Sequence, residues 1–246
     1  MMKQHWLLLV DNLRAATRTP ELALSYQETR YRFLAELAGH IAGITVSGSV
    51  NNWGPVVYGI WLHKHKTPVY IGQSMKGQRR LWDLPIGESH HLGFTFPPET
   101  WGRVVVVAWW HLMATNLWLR AQVLTDVAGA LGINLDNLDE DQVPETVTEL
   151  DKVIGTGLEY RLQLSEKPLF NLRRKMRDGS LRDVDLKDLR SRGARLGPSI
   201  DKIYDVVSSE WNCLTKLPSK RGMVQHSTSY GNVIFVNEIL KRAYRS

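Results

Sequence analysis

Two tyrosines, Tyr58 and Tyr70, stand twelve residues apart on either side of the polar stretch His63-Lys64-His65-Lys66-Thr67. The first lies in Val56-Val57-Tyr58 and the second in Val69-Tyr70-Ile71-Gly72-Gln73. Arg80 follows Gly72 by eight residues, and Asn171 follows Glu159 by twelve, just past Lys167-Pro168. These residue types suit chemistry at a phosphate. A phenol has an ordinary pKa near ~10 and takes up a proton at neutral pH only where a cation depresses that value; Lys64, Lys66, Lys76, Arg80 and a histidine are the nearby candidates. A guanidinium offers a fixed fork of donors to phosphate oxygens, for which Lys is a poor substitute. A carboxylate is a hard oxygen ligand suited to Mg²⁺, which keeps most of its waters and needs only one or two carboxylates besides a phosphate. Each residue alone has a plainer explanation: a hairpin tyrosine pair packs, and a glutamate on an amphipathic helix is solvated. The order and spacing of the whole set carry the argument.

Positioning such a set requires a hairpin and two helices. Val56 to Leu62 and Pro68 to Gly72 read as short strands joined by a five-residue connector of hairpin length. Antiparallel pairing then brings the tyrosines within side-chain reach. Gln78 to Leu84 is predicted as a short helix ended by Pro85 and Gly87, and Arg103 to Trp110 as a strand buried on both faces. Thr115 to Leu131 has an amphipathic pattern with Leu117, Ala121, Leu124, Val127, Ala128 and Leu131 on one side. The acidic stretch up to Glu145 is expected to be loop, and Leu158 to Leu164 to lie in a helix stopped by Pro168. Upstream, Glu21 to Ala42 has helical periodicity, followed by turn-forming Ser47 to Gly54. The expected fold is α/β (α+β), a small central antiparallel sheet flanked by helices, with helical N- and C-terminal extensions.

Composition narrows the class. The chain has 246 residues, 43% of them hydrophobic, and a net charge of +6. Its only cysteine, Cys213, excludes an internal disulfide framework and any multi-thiolate zinc site, which fits a reducing cytosol. The longest apolar stretch, Val104 to Trp110, falls far short of the ~20 residues that span a bilayer. No secretory signal is expected, because Lys3 precedes only Trp6 to Val10 before Asp11, without a small-residue cleavage site. Charge is unevenly spread. Ala121 to Asp151 contains eight acidic residues and no Lys or Arg, whereas Lys167 to Lys202 contains eleven basic and five acidic residues, an excess equal to the whole net charge. The basic window is the candidate polyanion-facing surface.

The ordered set resembles the GIY-YIG nuclease family, in which a Gly-Ile-Tyr strand is followed by Tyr-Ile-Gly, an Arg on a helix, a Glu on a later helix and an Asn after a Lys-Pro-like turn. Tyr70-Ile71-Gly72 matches the second motif intact. In the first, Tyr58 takes the Tyr place and Val56-Val57 replace Gly-Ile, whereas a literal match at Gly59-Ile60-Trp61 would put Trp at the reactive position. The twelve-residue gap favours Tyr58, and Trp has no ionisable oxygen. The resemblance covers roughly Pro55 to Leu172, with an insertion around Ala130 to Val147. It implies a core at 53–175 with an N-terminal extension at 1–52 and a basic, target-selecting extension at 176–246.

The resemblance further implies a cytoplasmic, metal-dependent endonuclease that hydrolyses phosphodiester bonds of DNA, expected to be double-stranded, in restriction or phage defence. Its cofactor would be Mg²⁺ or Mn²⁺ on Glu159, and a homodimer is compatible with it. Tyr58, Tyr70, Arg80, Glu159 and Asn171 would be the catalytic set, with His90 or His91 relaying a proton. DNA would be held by Gln73, Lys76, Arg79, Arg173, Arg174, Lys175 and Arg177, with Arg190, Arg192 and Arg195 further along the same surface. The competing expectations are a catalytically inactive nucleic-acid-binding protein on the same fold and an RNA-cleaving nuclease.

Overall fold

The computed structural model describes residues 18–43, 54–86, 92–175, 181–183 and 186–244, with the backbone alone for 94, 169, 172–175, 181–183 and 186–197. His90, His91 and Arg177 lie outside the described residues. The first helix, α1 (Pro20–Ala42), is set by its ends. Thr19 caps it by accepting from the Leu22 amide at 3.3 Å, Pro20 occupies the first turn, and Gly43 closes it in a left-handed conformation. Phe33, Leu37 and Ile41 on its inner face are fully buried. This helix, expected as an extension, is therefore part of the core.

The hairpin forms as β1 (Val56–Leu62) and β2 (Tyr70–Ser74), paired antiparallel with Tyr58 opposite Gly72 and Ile60 opposite Tyr70. Helix α2 (Gly77–Ile86) follows and runs two residues beyond its predicted end, with Pro85 inside its last turn. After a short helix, α3 (Leu92–Thr95), comes β3 (Trp101–Val107), paired with β1. The strand stops before the end of its apolar run, because Trp109 and Trp110 open α4 (Trp109–Thr115). Next come α5 (Leu117–Ala130), capped by the Asn116 side chain, and α6 (Val143–Glu166), which starts well before Leu158. The face assigned to α5 is partly wrong: Leu117 is 72% exposed and Leu131 45%, while Leu119 and Val123 turn inward with Val127 and Ala128.

The remaining elements are α7 (Leu169–Leu172), a separate ladder of β4 (Arg173–Lys175) with β5 (Leu181–Asp183), α8 (Leu186–Lys216), β6 (Gln225–Ser227), β7 (Gly231–Phe235) and α9 (Val236–Ala243). The main sheet has five antiparallel strands in the order β2-β1-β3-β7-β6. The C-terminal stretch thus contributes two strands to the same sheet. Its long helix also enters the core through Ile200, Ile203, Val207, Trp211 and Leu214, a spacing that keeps one face of a helix inward.

Alternation along β1 divides the core. Val57 and Trp61 join Val105, Val107 and residues of α4, α5, α6 and α8 on one face, and Val56, Tyr58 and Ile60 join Val104, Val106 and residues of α1, α2 and α9 on the other. With helices against both faces, Val56 to Leu62 is buried throughout, as is Val104 to Val107. No helix among the described residues is long and apolar enough to cross a membrane.

Candidate active site

The tyrosines meet because of the register. Tyr58 lies opposite Gly72, so the diagonal neighbour on the same face is Tyr70, and the two ring centroids are 6.0 Å apart. Gly72 has to lack a side chain for this to happen. A Cβ there would lie 2.7 Å from Tyr70 Cε1 and 2.8 Å from the Tyr58 hydroxyl oxygen. Trp61 is on the opposite face, buried with its ring 5.5 Å from that of Trp211. Tyr58, and not Trp61, therefore lies beside Tyr70.

Arg80 projects from α2 and Glu159 from α6, and both act electrostatically on the two phenols. Arg80 and Tyr70 each donate a hydrogen bond toward Tyr58. Tyr58 is 1% exposed, and burial, the largest effect, raises its pKa above the ordinary value. The Arg80 charge opposes this rise and the Glu159 charge adds to it. Tyr70 is raised as well, first by burial and then by Tyr58 and Glu159. Part of that burial comes from an aromatic wall, with Phe170 5.8 Å from Tyr70 and Phe96 edge-on to Phe170 at 5.5 Å. Both tyrosines rest as neutral phenols at neutral pH. Of the two, Tyr58 is the better placed to carry transient negative charge, because two donors converge on its oxygen.

Asn171 has a positional role. Strand β2 is the sheet edge, so Ile71 has backbone groups that no strand pairs. The Asn171 side chain takes both: its Oδ1 accepts from the Ile71 amide at 2.7 Å and its Nδ2 donates to the Ile71 carbonyl at 2.8 Å. Lys167, left-handed at φ 50°, closes α6 and turns the chain back, so that the Phe170 amide also bonds the Val69 carbonyl at 2.8 Å. The expected Lys167-Pro168 stop creates this clamp.

Gln163 was not anticipated. Its Nε2 donates to Glu159 Oε1 at 2.9 Å and to the Ile71 carbonyl at 3.2 Å, which ties the carboxylate to the tyrosine strand. A polar residue four after Glu159 on the same helix face was its signal in the sequence. The expected DNA contacts divide. Lys76 and Arg79 are exposed near the start of α2. Gln73 instead turns toward α6: its Oε1 is buried and would lie 3.2 Å from a Cβ on Gly155, since alternation places it on the Ile71 face. For Arg173, Arg174 and Lys175 the structure gives the backbone of β4, opposite Asp183, Arg182 and Leu181.

Among the described residues no group of three or more His, Cys, Asp and Glu is arranged to hold a metal ion. Glu159, partly exposed beside Arg80 and the phenols, offers a single carboxylate, a donor of the hard oxygen type that Mg²⁺ takes. Comparison of the chain with models of known protein families, with curated proteins and with solved structures finds no match in any of the three.

Proposed function

We propose that this protein is a GIY-YIG-type endonuclease that hydrolyses phosphodiester bonds of DNA, dependent on Mg²⁺ or Mn²⁺. The observation that carries the proposal is the grouping of Arg80 and Glu159 around the paired phenols of Tyr58 and Tyr70, residues drawn from four different elements. Packing alone explains neither a guanidinium nor a carboxylate beside two buried phenols.

In this reading Glu159 would hold the metal, with water and a substrate phosphate completing its shell. When bound, the ion would supply relief of negative charge on the phosphate and acidify a coordinated water. The chain's own residues do the rest. The Arg80 guanidinium, beside Tyr58, is the fork that holds phosphate oxygens. Tyr58, a neutral phenol at rest, orients the attacking water through its hydroxyl, whose oxygen Arg80 and Tyr70 hold in place, and the proton of that water leaves to solvent. Gln163 and Asn171 hold Glu159 and the Ile71 backbone in fixed relation, which limits loss of geometry during the reaction. Affinity comes mainly from phosphate contacts, with Lys76, Arg79 and the basic window as contributors.

The experiment is plasmid cleavage with Mg²⁺, with EDTA as the control and Glu159→Gln as the variant. A neutral amide of the same size cannot balance a divalent cation, so cleavage should vanish while DNA binding stays near wild type. Cleavage by the variant at the wild-type rate would refute the assignment. DNA binding without cleavage by the wild type, with either metal, would favour the inactive binding protein.

A further inference from the structure

A cavity on another part of the molecule shares no residue with the candidate active site. It has a volume of about 620 Å³, within the usual range for small-molecule sites, and lies where β1 ends and β7 passes into α9. Arg221, Lys241 and Arg242 line it together with His63, Asn237 and one carboxylate, Glu238.

That carboxylate does not make the cavity acidic. Glu238 is 7% exposed, its Oε2 accepts from the Gly222 amide at 2.8 Å and its Oε1 from Lys241 Nζ at 2.5 Å. Both oxygens are thus engaged, and the pair with Lys241 is neutral. Arg242 is partly committed, donating to the Gly222 carbonyl at 2.8 Å and lying 3.9 Å from Glu36. Arg221 is exposed and makes no ion pair or hydrogen bond among the described residues. Asn237 Nδ2 lies 2.6 Å from His63 Nδ1. The N-terminus of α9 has no side-chain cap, which adds partial positive charge at the same end of the helix. The lining is therefore rich in N–H donors around a loop fixed by buried Glu238, and its excess charge is positive.

We propose that this cavity binds a phosphate group, either of a small phosphorylated ligand or of a nucleic-acid backbone. Several acceptor oxygens on one centre match several convergent donors, and a guanidinium without a protein partner is the group that phosphate would engage. The inference does not rest on the nuclease reading.

Binding of pyrophosphate, of adenosine 5′-monophosphate and of a short single-stranded DNA oligonucleotide would be measured by calorimetry in EDTA, so that cleavage cannot intervene. Arg221→Ala should weaken binding about tenfold, as expected for one lost charge-assisted contact. Lys220→Ala removes the same charge from an adjacent residue that does not line the cavity, and should cost about twofold or less. Binding of the two small probes that depends on Arg221 assigns a free phosphorylated ligand; Arg221-dependent binding of the oligonucleotide alone assigns a backbone phosphate. Either result supports the proposal. It is overturned if the wild type binds none of the probes at millimolar concentration, or if the two variants lose affinity equally.

Discussion

Replacing Gly72 by alanine tests the packing on which the tyrosine pair depends. A Cβ at this position would meet Tyr70 Cε1 at 2.7 Å, the Tyr58 hydroxyl oxygen at 2.8 Å and Tyr58 Cζ at 2.9 Å, short by 0.5 to 0.7 Å of the 3.4 Å at which ordinary contact begins. Neither ring can retreat freely. Tyr58 is enclosed in the core and Tyr70 is backed by Phe170. Overpacking of this kind costs about 1–3 kcal/mol, whereas the better strand backbone of alanine returns roughly 0.5–1 kcal/mol. The net expectation is a loss of about 0.5–2 kcal/mol, read as a lower midpoint in urea unfolding. If the nuclease reading holds, displaced tyrosines also lower the cleavage rate, by tenfold or more at about 10²-fold per ångström of misplacement. The same substitution made in a Tyr58→Ala background meets no ring from that side, so most of its cost should disappear, giving a coupling of about 1 kcal/mol. A Gly72→Ala protein as stable as wild type, with no coupling to Tyr58, would refute the reasoning.

Three other outcomes follow from the same geometry. Tyr58→Phe should lower the cleavage rate roughly 10²-fold with DNA binding little changed, whereas Trp61→Phe should mainly lower stability; full activity in Tyr58→Phe would leave the orientation of water to another group. Asn171→Ala should cost about 1–3 kcal/mol in denaturant unfolding, because it orphans the Ile71 amide, and unchanged stability would dismiss the clamp. The raised pKa values of Tyr58 and Tyr70 contribute stability that is fully present below about pH 10, the unfolded value, and is lost as pH rises through the folded values, at about 1.4 kcal/mol per pH unit for each group. Spectrophotometric titration of Tyr58→Phe and Tyr70→Phe against wild type checks this, and ordinary titration near pH 10 in the intact fold would contradict it.

The parts of the molecule that were legible are those whose information is local. The hairpin register follows from two short apolar runs and their connector, and Lys167-Pro168 marks the turn that delivers Asn171. The fate of Gln73 was also available, because period-2 alternation sends it away from the face shared by Tyr58 and Tyr70. Other features depend on partners distant in the chain. The inward side of α5 is chosen by its packing partners, so Leu117 and Leu131 could not be excluded from its apolar face by periodicity. Val233-Ile234-Phe235 reads as an apolar run, but its pairing with β3 joins residues more than a hundred positions apart. The electrostatic grouping of Arg80 and Glu159 around the phenols likewise needed the packing of α2 and α6.

The β3–β7 pairing bears on how the chain reaches this state. Until residues 231–235 arrive, one edge of β3 exposes the backbone of Val104 to Val107, a flat and uncharged valine run of the kind that recruits other chains. Closing so long a loop costs entropy before any contact rewards it, so the sheet is slow to complete and waits for a strand more than a hundred residues further along the chain. A fragment ending before β6 therefore contains every residue of the candidate site and still carries an aggregation-prone edge at its centre. Removing the C-terminal segment to obtain a minimal core is then expected to produce insoluble protein.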